Sequence, residues 1–269
     1  MKKPDGLILF DEKNKKRYDG RSPDEMRSLR IEINPVRNAS GSAEIFWGNN
    51  RILVGVYGPH SAPSSFVLSD QGVLRCTYRM ATFSVETRKS QTPTRREIEL
   101  SFIMQRALQP ALFLEEFPRS IIDVFAYVLN ADGGTRAASI SAASVALAAS
   151  GLPMKGLVAA CASGKVDGHI VMDINDIEDK YGEADMPVAV LFPGEEITSI
   201  QLNGNVSRDE FEQLLRMAIE GCKQVYVEQR AALTRHFEET RQEIESQYST
   251  SSEATEEITN SDEKGGEKQ

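Results

Sequence analysis

A short glycine-rich segment, Asn130–Arg136, places two glycines, a threonine hydroxyl and a guanidinium directly before a run of small residues. Gly133 and Gly134 let the backbone bend so that successive N–H groups converge on one point. The run 137–150 is mostly alanine and serine, which predicts a buried helix that lies close to its neighbours. Free N–H groups at its start, together with the planar fork of Arg136, favour a phosphate ligand. A glycine turn before a core helix has the same pattern, so this segment alone leaves both interpretations open.

Two adjacent arginines follow a predicted helix start. Thr94 stands three residues before Glu97, which is the spacing of a capping box and predicts a helix beginning at Arg95. Arg95 and Arg96 then fall in the first turn, where a positive charge opposes the helix dipole. Stability alone favours acidic residues there, so the arginines indicate either an anion site or two solvated side chains on an exposed turn.

Six carboxylates crowd the connection between two strand-like runs, His169–Ile174 and Met186–Leu191. The last of them, Asp185, stands directly at the start of the second run, where backbone pairing can hold it still. Loop carboxylates are usually only solvated, but Mg²⁺ takes one or two protein carboxylates and fills its octahedron with water and phosphate oxygens. A phosphate cradle combined with these carboxylates therefore predicts a Mg²⁺ site. The six residues are Asp173, Asp176, Glu178, Asp179, Glu183 and Asp185.

The acidic charge of the chain is concentrated at one end. Its 269 residues have a formal net charge of −9, but residues 238–269 alone contain ten acidic and three basic residues. The remaining residues are nearly neutral, which is compatible with a basic channel on one face, because polyanion binding depends on local charge. The segment after about Gln247 has almost no large apolar residues, so we expect a disordered acidic tail.

Cysteine usage and hydropathy indicate an intracellular protein. Cys76, Cys161 and Cys222 are widely spaced, odd in number and set in apolar runs, which predicts reduced core residues. No long apolar run follows the first residues, so we predict neither a signal peptide nor a membrane span. We expect a cytoplasmic protein with no membrane association.

Strand and helix patterns follow each other in two successive halves, which predicts layered α+β architecture. In the first half, a helix is predicted from Arg95 to about Glu116, bent at Pro110. The second half has a predicted hairpin turn at Gly164–Gly168 and a long helix with an apolar stripe after Ser207. The strand-like runs are Asn50–Tyr57, Gly72–Met80, Ile121–Leu129, Leu157–Ala162, His169–Ile174, Met186–Leu191 and Glu196–Leu202.

These motifs occur in the order found in the RNase PH family of phosphate-dependent 3′→5′ exoribonucleases, which the chain resembles from about Arg17 to about Leu233. Within the family it is most similar to the catalytic RNase PH-type subunit of the archaeal exosome. The resemblance implies an α+β RNase PH fold with two sheet-and-helix subdomains in one globular unit. We expect residues 1–150 to form the first subdomain with an N-terminal extension, 151–237 the second, and 238–269 the helix end and tail. The motifs are Asp19-Gly20-Arg21, Gly41-Ser42-Ala43, Arg95–Glu99, Ala131–Arg136 and Gly182–Pro187.

The resemblance also assigns the anion-binding roles. Gly134, Thr135 and Arg136 resemble the residues that hold inorganic phosphate, which is the family's co-substrate. Arg95 and Arg96 resemble the arginines that grip the RNA 3′ end and the attacking phosphate.

Further roles are implied for acidic and loop residues. Asp179 and Asp185 resemble a pair that binds Mg²⁺ and assists the leaving group, and Asp185 either holds the metal or protonates the departing 3′ oxygen. Relatives carry basic residues at the neck of the pore, but the corresponding segment Pro59–Phe66 has no Lys or Arg. His60 is then the one cationic candidate for RNA contact in that segment.

The implied activity is phosphorolysis of RNA from its 3′ end, with release of nucleoside diphosphates. The implied partners are RNA, a related inactive RNase PH-like subunit that completes a hexameric ring, and RNA-binding cap proteins. Two alternatives stay open: a bacterial-type RNase PH that trims tRNA 3′ ends as a homo-oligomer, and a ring scaffold without activity. The match at Tyr57–Pro59 and the extension before Arg17 favour the exosome type, and the retained arginines, cradle and Asp185 favour an active subunit.

Overall fold

In the described residues, two five-stranded β-sheets, one from each half of the chain, are linked by a buried helix, and a separate two-stranded sheet lies near the N-terminus. The computed structural model describes residues 3, 4, 6–61 and 70–265, with the side chains of 243 and of 246 onward left out. In this part of the chain the strands are β1 Phe10–Asp11, β2 Lys16–Arg17, β3 Leu29–Ile33, β4 Gly41–Trp47, β5 Asn50–Ser61, β6 Val73–Met80, β7 Ser120–Asn130, β8 Leu157–Val166, β9 His169–Met172, β10 Ala184–Phe192, β11 Glu196–Ile200 and β12 Asn203–Gly204. The α-helices are α1 Arg95–Leu108, α2 Thr135–Ala149, α3 Asp176–Tyr181 and α4 Arg208–Gly265.

The first sheet has the order β3-β4-β5-β7-β6 among the described residues. Its pairings are antiparallel except for β6 beside β7, which run parallel. The second sheet has the order β11-β10-β8-β9, with β12 also paired to β10, and it is antiparallel throughout the described strands. The glycine-rich segment lies between the end of β7 and the start of α2, and the acidic motif lies at the start of β10. Both candidate functional segments are therefore positioned by strand ends.

Helix α2 is the shared core element, as its small residues predict. It contacts β4 and β5 of the first sheet and β8 of the second, and every residue from Ala137 to Leu147 is buried. Its serines are used for packing, because Ser141 Oγ and Ser144 Oγ accept hydrogen bonds from the β8 amides of Ala160 and Val158. A larger side chain at these positions would separate the helix from the sheet.

Helix α1 begins as its sequence predicts and ends earlier. The Thr94 side chain accepts from the Glu97 amide and the Glu97 carboxylate accepts from the Thr94 amide, so the capping box is confirmed. The predicted extension to Glu116 is wrong, because the α-helix ends at Leu108 and continues only as short 3-10 turns. Pro110 has no N–H to donate, which interrupts the α-helical hydrogen bonding at this point.

In the second half, two local predictions need correction. The hairpin turn is confined to Asp167 and Gly168, which both have positive φ, and Gly164–Val166 belongs to β8. A two-residue turn of this hand suits antiparallel strands better than the five-residue turn expected from the glycines. The acidic connection is not simply a loop, since it contains α3, which starts with a capping box between Asn175 and Glu178.

Helix α4 packs its predicted apolar stripe in its first part. Leu214, Ala218, Cys222 and Val225 are buried there, and a capping box between Ser207 and Glu210 starts the helix. The three cysteines are free and buried, as expected. None of the described helices is both long enough and apolar enough to cross a membrane.

Helix α4 also extends beyond the first compact unit, which ends at Arg230, into a second unit that starts at Ala231. Its helical backbone continues to Gly265, through the segment where we expect disorder after about Gln247. Side chains from residue 246 onward lie outside the described residues, so the character of the tail and the domain boundaries near 150 and 237 stay predictions.

Candidate active site

The glycine-rich segment forms a tight turn at the start of α2. Gly133 and Gly134 have φ angles of 67° and 70°, in the left-handed region that favours glycine. A Cβ on Gly133 would lie 2.4 Å from the Asn175 carbonyl carbon, so the turn also needs glycine for its close approach to the second half of the chain. Gly134 is the N-cap of α2 and provides no side-chain cap, which leaves the first amides of the helix available to an anion.

Thr135 and Arg136 occupy the first turn of α2. Thr135 Oγ1 accepts a hydrogen bond of 2.9 Å from the buried Tyr78 hydroxyl. Arg136 donates from one terminal nitrogen to Gln201 Oε1, whereas its buried Nε has no hydrogen-bond partner among the described residues. Burial lowers the pKa of Arg136, and the positive charge of Arg96 acts in the same direction against the attraction of Asp185. An unpaired buried donor is costly, and a phosphate oxygen would satisfy it.

The cradle opens into a cavity of about 1320 Å³. Arg96, Arg136, Asp179 and Asp185 line it, and the same four residues line a smaller inner cavity of about 140 Å³ that also includes Gly134 and Thr135. Six of the residues predicted from the sequence are therefore brought to one place, from two helices of the first half and from α3 and β10 of the second. The geometry shows that these residues lie around the same cavity, and the roles assigned to them stay predictions.

The two arginines of α1 are placed differently. Arg96 and Glu99 face the cavity, as residues three apart on one side of a helix can do. Arg95 is exposed and is not part of the lining of either cavity. Of the two α1 arginines, Arg96 is therefore the one positioned to contact an anion held inside the cavities.

His60 also lies apart from this site. It is near the end of β5, where its Nε2 is 3.5 Å from Asp123 Oδ2, and it lines neither cavity. Arg75 donates to the same carboxylate from two nitrogens, so Asp123 is shared between two basic side chains. Most of the predicted neck segment, residues 62–69, lies outside the described residues, and the RNA contact assigned to His60 stays a prediction.

Asp179 and Asp185 project from adjacent elements into the cavity. Asp185 is the second residue of β10 and is paired on both sides, with Gly164 of β8 and Asn203 of β12. Asp179 is accessible from the cavity but surrounded by protein, and this desolvation raises its pKa, with repulsion from Asp185 adding to the effect. The positive charges of Arg96 and Arg136 partly oppose the shift.

The donor set of this carboxylate pair fits Mg²⁺. A bound divalent cation would offset the electrostatic repulsion between the two carboxylates. Mg²⁺ binds such a pair when water and phosphate oxygens supply its other ligands. Among the described residues no group of three or more His, Cys, Asp or Glu is arranged as a metal site. Asp179 and Asp185 are the residues that would hold the ion, with water and phosphate oxygens as its further ligands.

A buried ion pair that the sequence does not reveal ties the cradle to the acidic motif. Arg27 donates from Nε and a terminal nitrogen to Asp173, at 2.9 and 2.6 Å, and its other terminal nitrogen donates to the Asp132 carbonyl. Trp47 Nε1 also donates to Asp173, at 3.1 Å. Burial raises the pKa of Asp173, but the hydrogen bonds and charge of Arg27 outweigh it and hold the pKa below its ordinary value.

A second buried pair supports α3. Arg17 donates from Nε to Glu178 at 2.8 Å and from its terminal nitrogens to the carbonyls of Met172 and Asp173. Arg21 donates to the Asp173 carbonyl at 3.0 Å. The Asp19-Gly20-Arg21 motif was the only sequence signal for this network. Its arginine is used to fix the strand end before α3, and neither Arg17 nor Arg21 lines the cavity.

Several further cavity residues carry no sequence signal of their own. Gln201, Phe83, Lys89 and Lys180 all line the large cavity. They come from the segment after β11, from the loop between β6 and α1, and from α3. No motif or periodic pattern in the sequence singles out these residues, so they are identified as cavity residues only from the folded structure.

Comparison with known proteins places the chain in a family. Residues 25–153 match domain 1 of the 3′ exoribonuclease family and residues 156–221 match domain 2. The chain is 50% identical over 246 residues to "Exosome complex component Rrp41" of Pyrococcus abyssi, which covers 91% of this chain and 98% of that protein. It is 49% identical over 232 residues to the protein of the same name from Cenarchaeum symbiosum, which covers 86% of this chain and 95% of that one.

Solved structures agree in fold. The crystal structure of rice Rrp46 superposes with a TM-score of 0.71 at 23% identity and covers 81% of this chain and all of that one. A chain of the Archaeoglobus fulgidus exosome with RNA bound to the active site gives the same TM-score and identity and covers 79% and 92% of the two chains. With both domains matched and half of the residues identical to archaeal relatives, this chain belongs to the RNase PH family of 3′ exoribonucleases and has its α+β fold.

Proposed function

We propose that this chain is the catalytic subunit of an exosome-type ring and degrades RNA from its 3′ end by phosphorolysis. The observation that carries the proposal is the buried Arg136 Nε, which has no hydrogen-bond partner in the described part of the chain and lies at a glycine turn, in a cavity that Arg96, Asp179 and Asp185 also line. Its archaeal relatives are named exosome components, which supports the same assembly here.

Inorganic phosphate is the nucleophile in this proposal. The amides that follow Gly134, the Thr135 hydroxyl and the Arg136 guanidinium hold it with one oxygen directed at the last phosphodiester of the RNA. Attack forms a phosphoanhydride bond and breaks the bond between phosphorus and the 3′ oxygen of the preceding nucleotide. A nucleoside diphosphate leaves, and the RNA is one nucleotide shorter.

Charge neutralisation provides most of the acceleration, because phosphoryl transfer needs little covalent help from the protein. Arg96 and Arg136 face the cavity from two helices and offset the charges of phosphate and RNA. Bound Mg²⁺ would add Lewis-acid stabilisation at the same oxygens. Asp185 either holds this ion with Asp179 or donates the proton that the departing 3′ oxygen requires.

The proposed assembly includes a related inactive RNase PH-like subunit in a hexameric ring and RNA-binding cap proteins, in the cytoplasm. A homo-oligomeric tRNA-trimming enzyme is the alternative, and the identity to proteins named exosome components favours the ring. Native mass spectrometry of the chain expressed with and without an RNase PH-like partner distinguishes them. A stable homohexamer would favour the alternative, and an obligate heteromer supports the exosome type.

Product analysis tests the activity itself. Uniformly labelled RNA is incubated with the assembled protein and Mg²⁺, with and without inorganic phosphate, and the products are separated by thin-layer chromatography. We expect nucleoside diphosphates in the presence of phosphate, and tail addition when diphosphates are in excess, because the exchange is nearly balanced. Nucleoside monophosphates released without phosphate would mean hydrolysis and would overturn the proposal.

A further inference from the structure

Phe83 is the most exposed large apolar side chain of the described residues, with 73% of its surface accessible. It lies in the loop between β6 and α1, at the wall of the large cavity. A single exposed phenylalanine is common on protein surfaces and by itself indicates no function. The location of Phe83 at the wall of the cavity that contains the phosphate-binding groups is what suggests a function for its ring.

The loop holds Phe83 in place through its neighbours. The Ala81 amide donates to the Val128 carbonyl at 2.9 Å, and the Ala131 amide donates to the Ser84 carbonyl at 2.9 Å. Ser84 itself is fully buried. Residues on both sides of Phe83 are thus bonded to the end of β7 and to the cradle segment, which restrains the loop backbone around Phe83.

The cavity lining separates the aromatic ring from the phosphate site. Phe83 lines the large outer cavity, and the inner cavity that contains Gly134 and Thr135 does not include it. Lys89, from the same loop, lines both cavities. An RNA whose terminal phosphodiester reaches the inner cavity would leave it through the large cavity, whose lining includes Phe83 and Lys89.

We propose that Phe83 is a stacking platform for a nucleobase within the last few nucleotides of the bound RNA, which rests on the proposed function. Aromatic rings bind bases of single-stranded RNA by stacking, and any base offers a π face. Phe83 has no polar atom with which to read a base edge, so this subsite accepts all four bases. Such tolerance is what an enzyme that removes successive nucleotides needs.

The test removes the ring and the base separately. Variants Phe83→Leu, Phe83→Tyr and Phe83→Trp are assembled as full rings, with Phe102→Leu as control, since Phe102 is 53% exposed on α1 and lines neither cavity. Affinity is measured for short RNAs that carry an abasic residue or 2-aminopurine at each of the last three positions. Phosphate is omitted so that the RNA stays intact.

We expect Phe83→Leu to weaken binding of intact RNA by about 5- to 150-fold, the range of a single stacking contact. At one of the three positions, removal of the base should abolish the difference between wild type and Phe83→Leu, and 2-aminopurine fluorescence there should be quenched by binding to wild type. The tyrosine and tryptophan variants should retain both the affinity and the quenching. Phe102→Leu should behave as wild type.

Three results would overturn the subsite. Equal affinities of wild type and Phe83→Leu would show that the ring does not contact RNA, and an undiminished Phe83→Leu effect with abasic RNA at all three positions would show that no base is stacked on it. A Phe83→Leu ring that falls apart in native mass spectrometry would mean that Phe83 contacts a neighbouring subunit. The proposed function is judged separately by phosphate-dependent diphosphate release from wild type, so each proposal can fail alone.

Discussion

The guanidinium of Arg27 joins the Asp173 carboxylate to the backbone of the cradle. Its Nε and one terminal nitrogen bind Asp173 from 2.9 and 2.6 Å, and the remaining terminal nitrogen donates to the Asp132 carbonyl. A longer contact of 3.4 Å reaches the Gly133 carbonyl. Asp173 immediately precedes the segment that forms α3, so one ion pair sets the distance between the cradle and Asp179.

The first prediction concerns the stability of this ion pair. Asp173→Asn removes the carboxylate that accepts two side-chain hydrogen bonds from the buried Arg27 guanidinium and leaves the more distant Asp132 carboxylate, at 3.7 Å, as its counter-charge, so we expect the free energy of unfolding at pH 7 to fall by about 3 kcal/mol. Chemical unfolding in urea measures the change. Asp24→Asn, at an exposed position in the same N-terminal region, is the control and should have almost no effect.

The pH dependence of this loss follows from the direction of the pKa shift. The folded-state pKa of Asp173 lies below its ordinary value of 3.8, so folding is stabilised above that value. The stabilisation disappears as the pH falls from 3.8 through the folded-state pKa. The gap between wild type and Asp173→Asn should therefore be constant from pH 5 to 7 and narrow below about 3.8, and a constant gap at all pH values would contradict the assignment.

Local signals predicted much of this site. The Thr94–Glu97 capping box fixed the start of α1, the glycine pair fixed the turn before α2, and the small residues after it predicted burial of that helix. Each of these signals depends on residues a few positions apart, where backbone rules are strong. Asp185 was placed correctly at a strand start for the same reason.

Long-range relationships could not be predicted in this way. Arg27 and Asp173 are separated by 146 positions and Arg136 and Gln201 by 65, and neither pair leaves a periodic or local pattern. Arg95 and Arg96 are equivalent in the sequence, but the rotation between successive helix residues turns only one of them into the cavity. Family resemblance assigned roles to these positions, and the folded chain supplies the partners that hold them.

The second prediction separates the two arginines of α1. Arg96→Ala should raise the KM for phosphate and weaken RNA binding by about tenfold or more, because a charge inside the cavity is lost. Arg95→Ala should leave the KM for phosphate unchanged, since Arg95 lies outside the cavity lining. Steady-state kinetics at fixed ionic strength compares the two variants. An equal effect of both on the phosphate KM would show that the cavity geometry does not govern phosphate binding.

The third prediction concerns the carboxylate pair. Asp185→Asn should reduce turnover by at least about 100-fold while RNA binding is retained, since it removes either a metal ligand or a proton donor. Asp179→Asn should raise the Tm at neutral pH without Mg²⁺, because it removes a desolvated charge that is repelled by Asp185. Titration calorimetry with Mg²⁺ and phosphate should show weaker metal binding in Asp179→Asn, and weaker binding in Asp185→Asn as well would assign Asp185 as a metal ligand and not as the proton donor. Near-normal turnover of Asp185→Asn would mean that the acidic motif is only a solvated surface feature.

The last prediction tests Gln201 as the residue that positions Arg136. Its Oε1 accepts a hydrogen bond from the guanidinium, and Gln201→Leu leaves that donor without a partner. The loss of one hydrogen bond to a charged group corresponds to about 1.5–3 kcal/mol, so we expect the KM for phosphate to rise by roughly 10- to 150-fold.

The turnover number should change little, because the guanidinium can still meet the phosphate in the transition state, and RNA affinity should be unaffected. Gln201→Glu should raise the phosphate KM further, since a carboxylate at this position competes with phosphate for Arg136 and repels it. Gln213→Leu, at an exposed position of α4, serves as the matched control. If Gln201→Leu instead lowered turnover at saturating phosphate and left the KM unchanged, Gln201 would act on the reaction itself and would not simply orient the arginine.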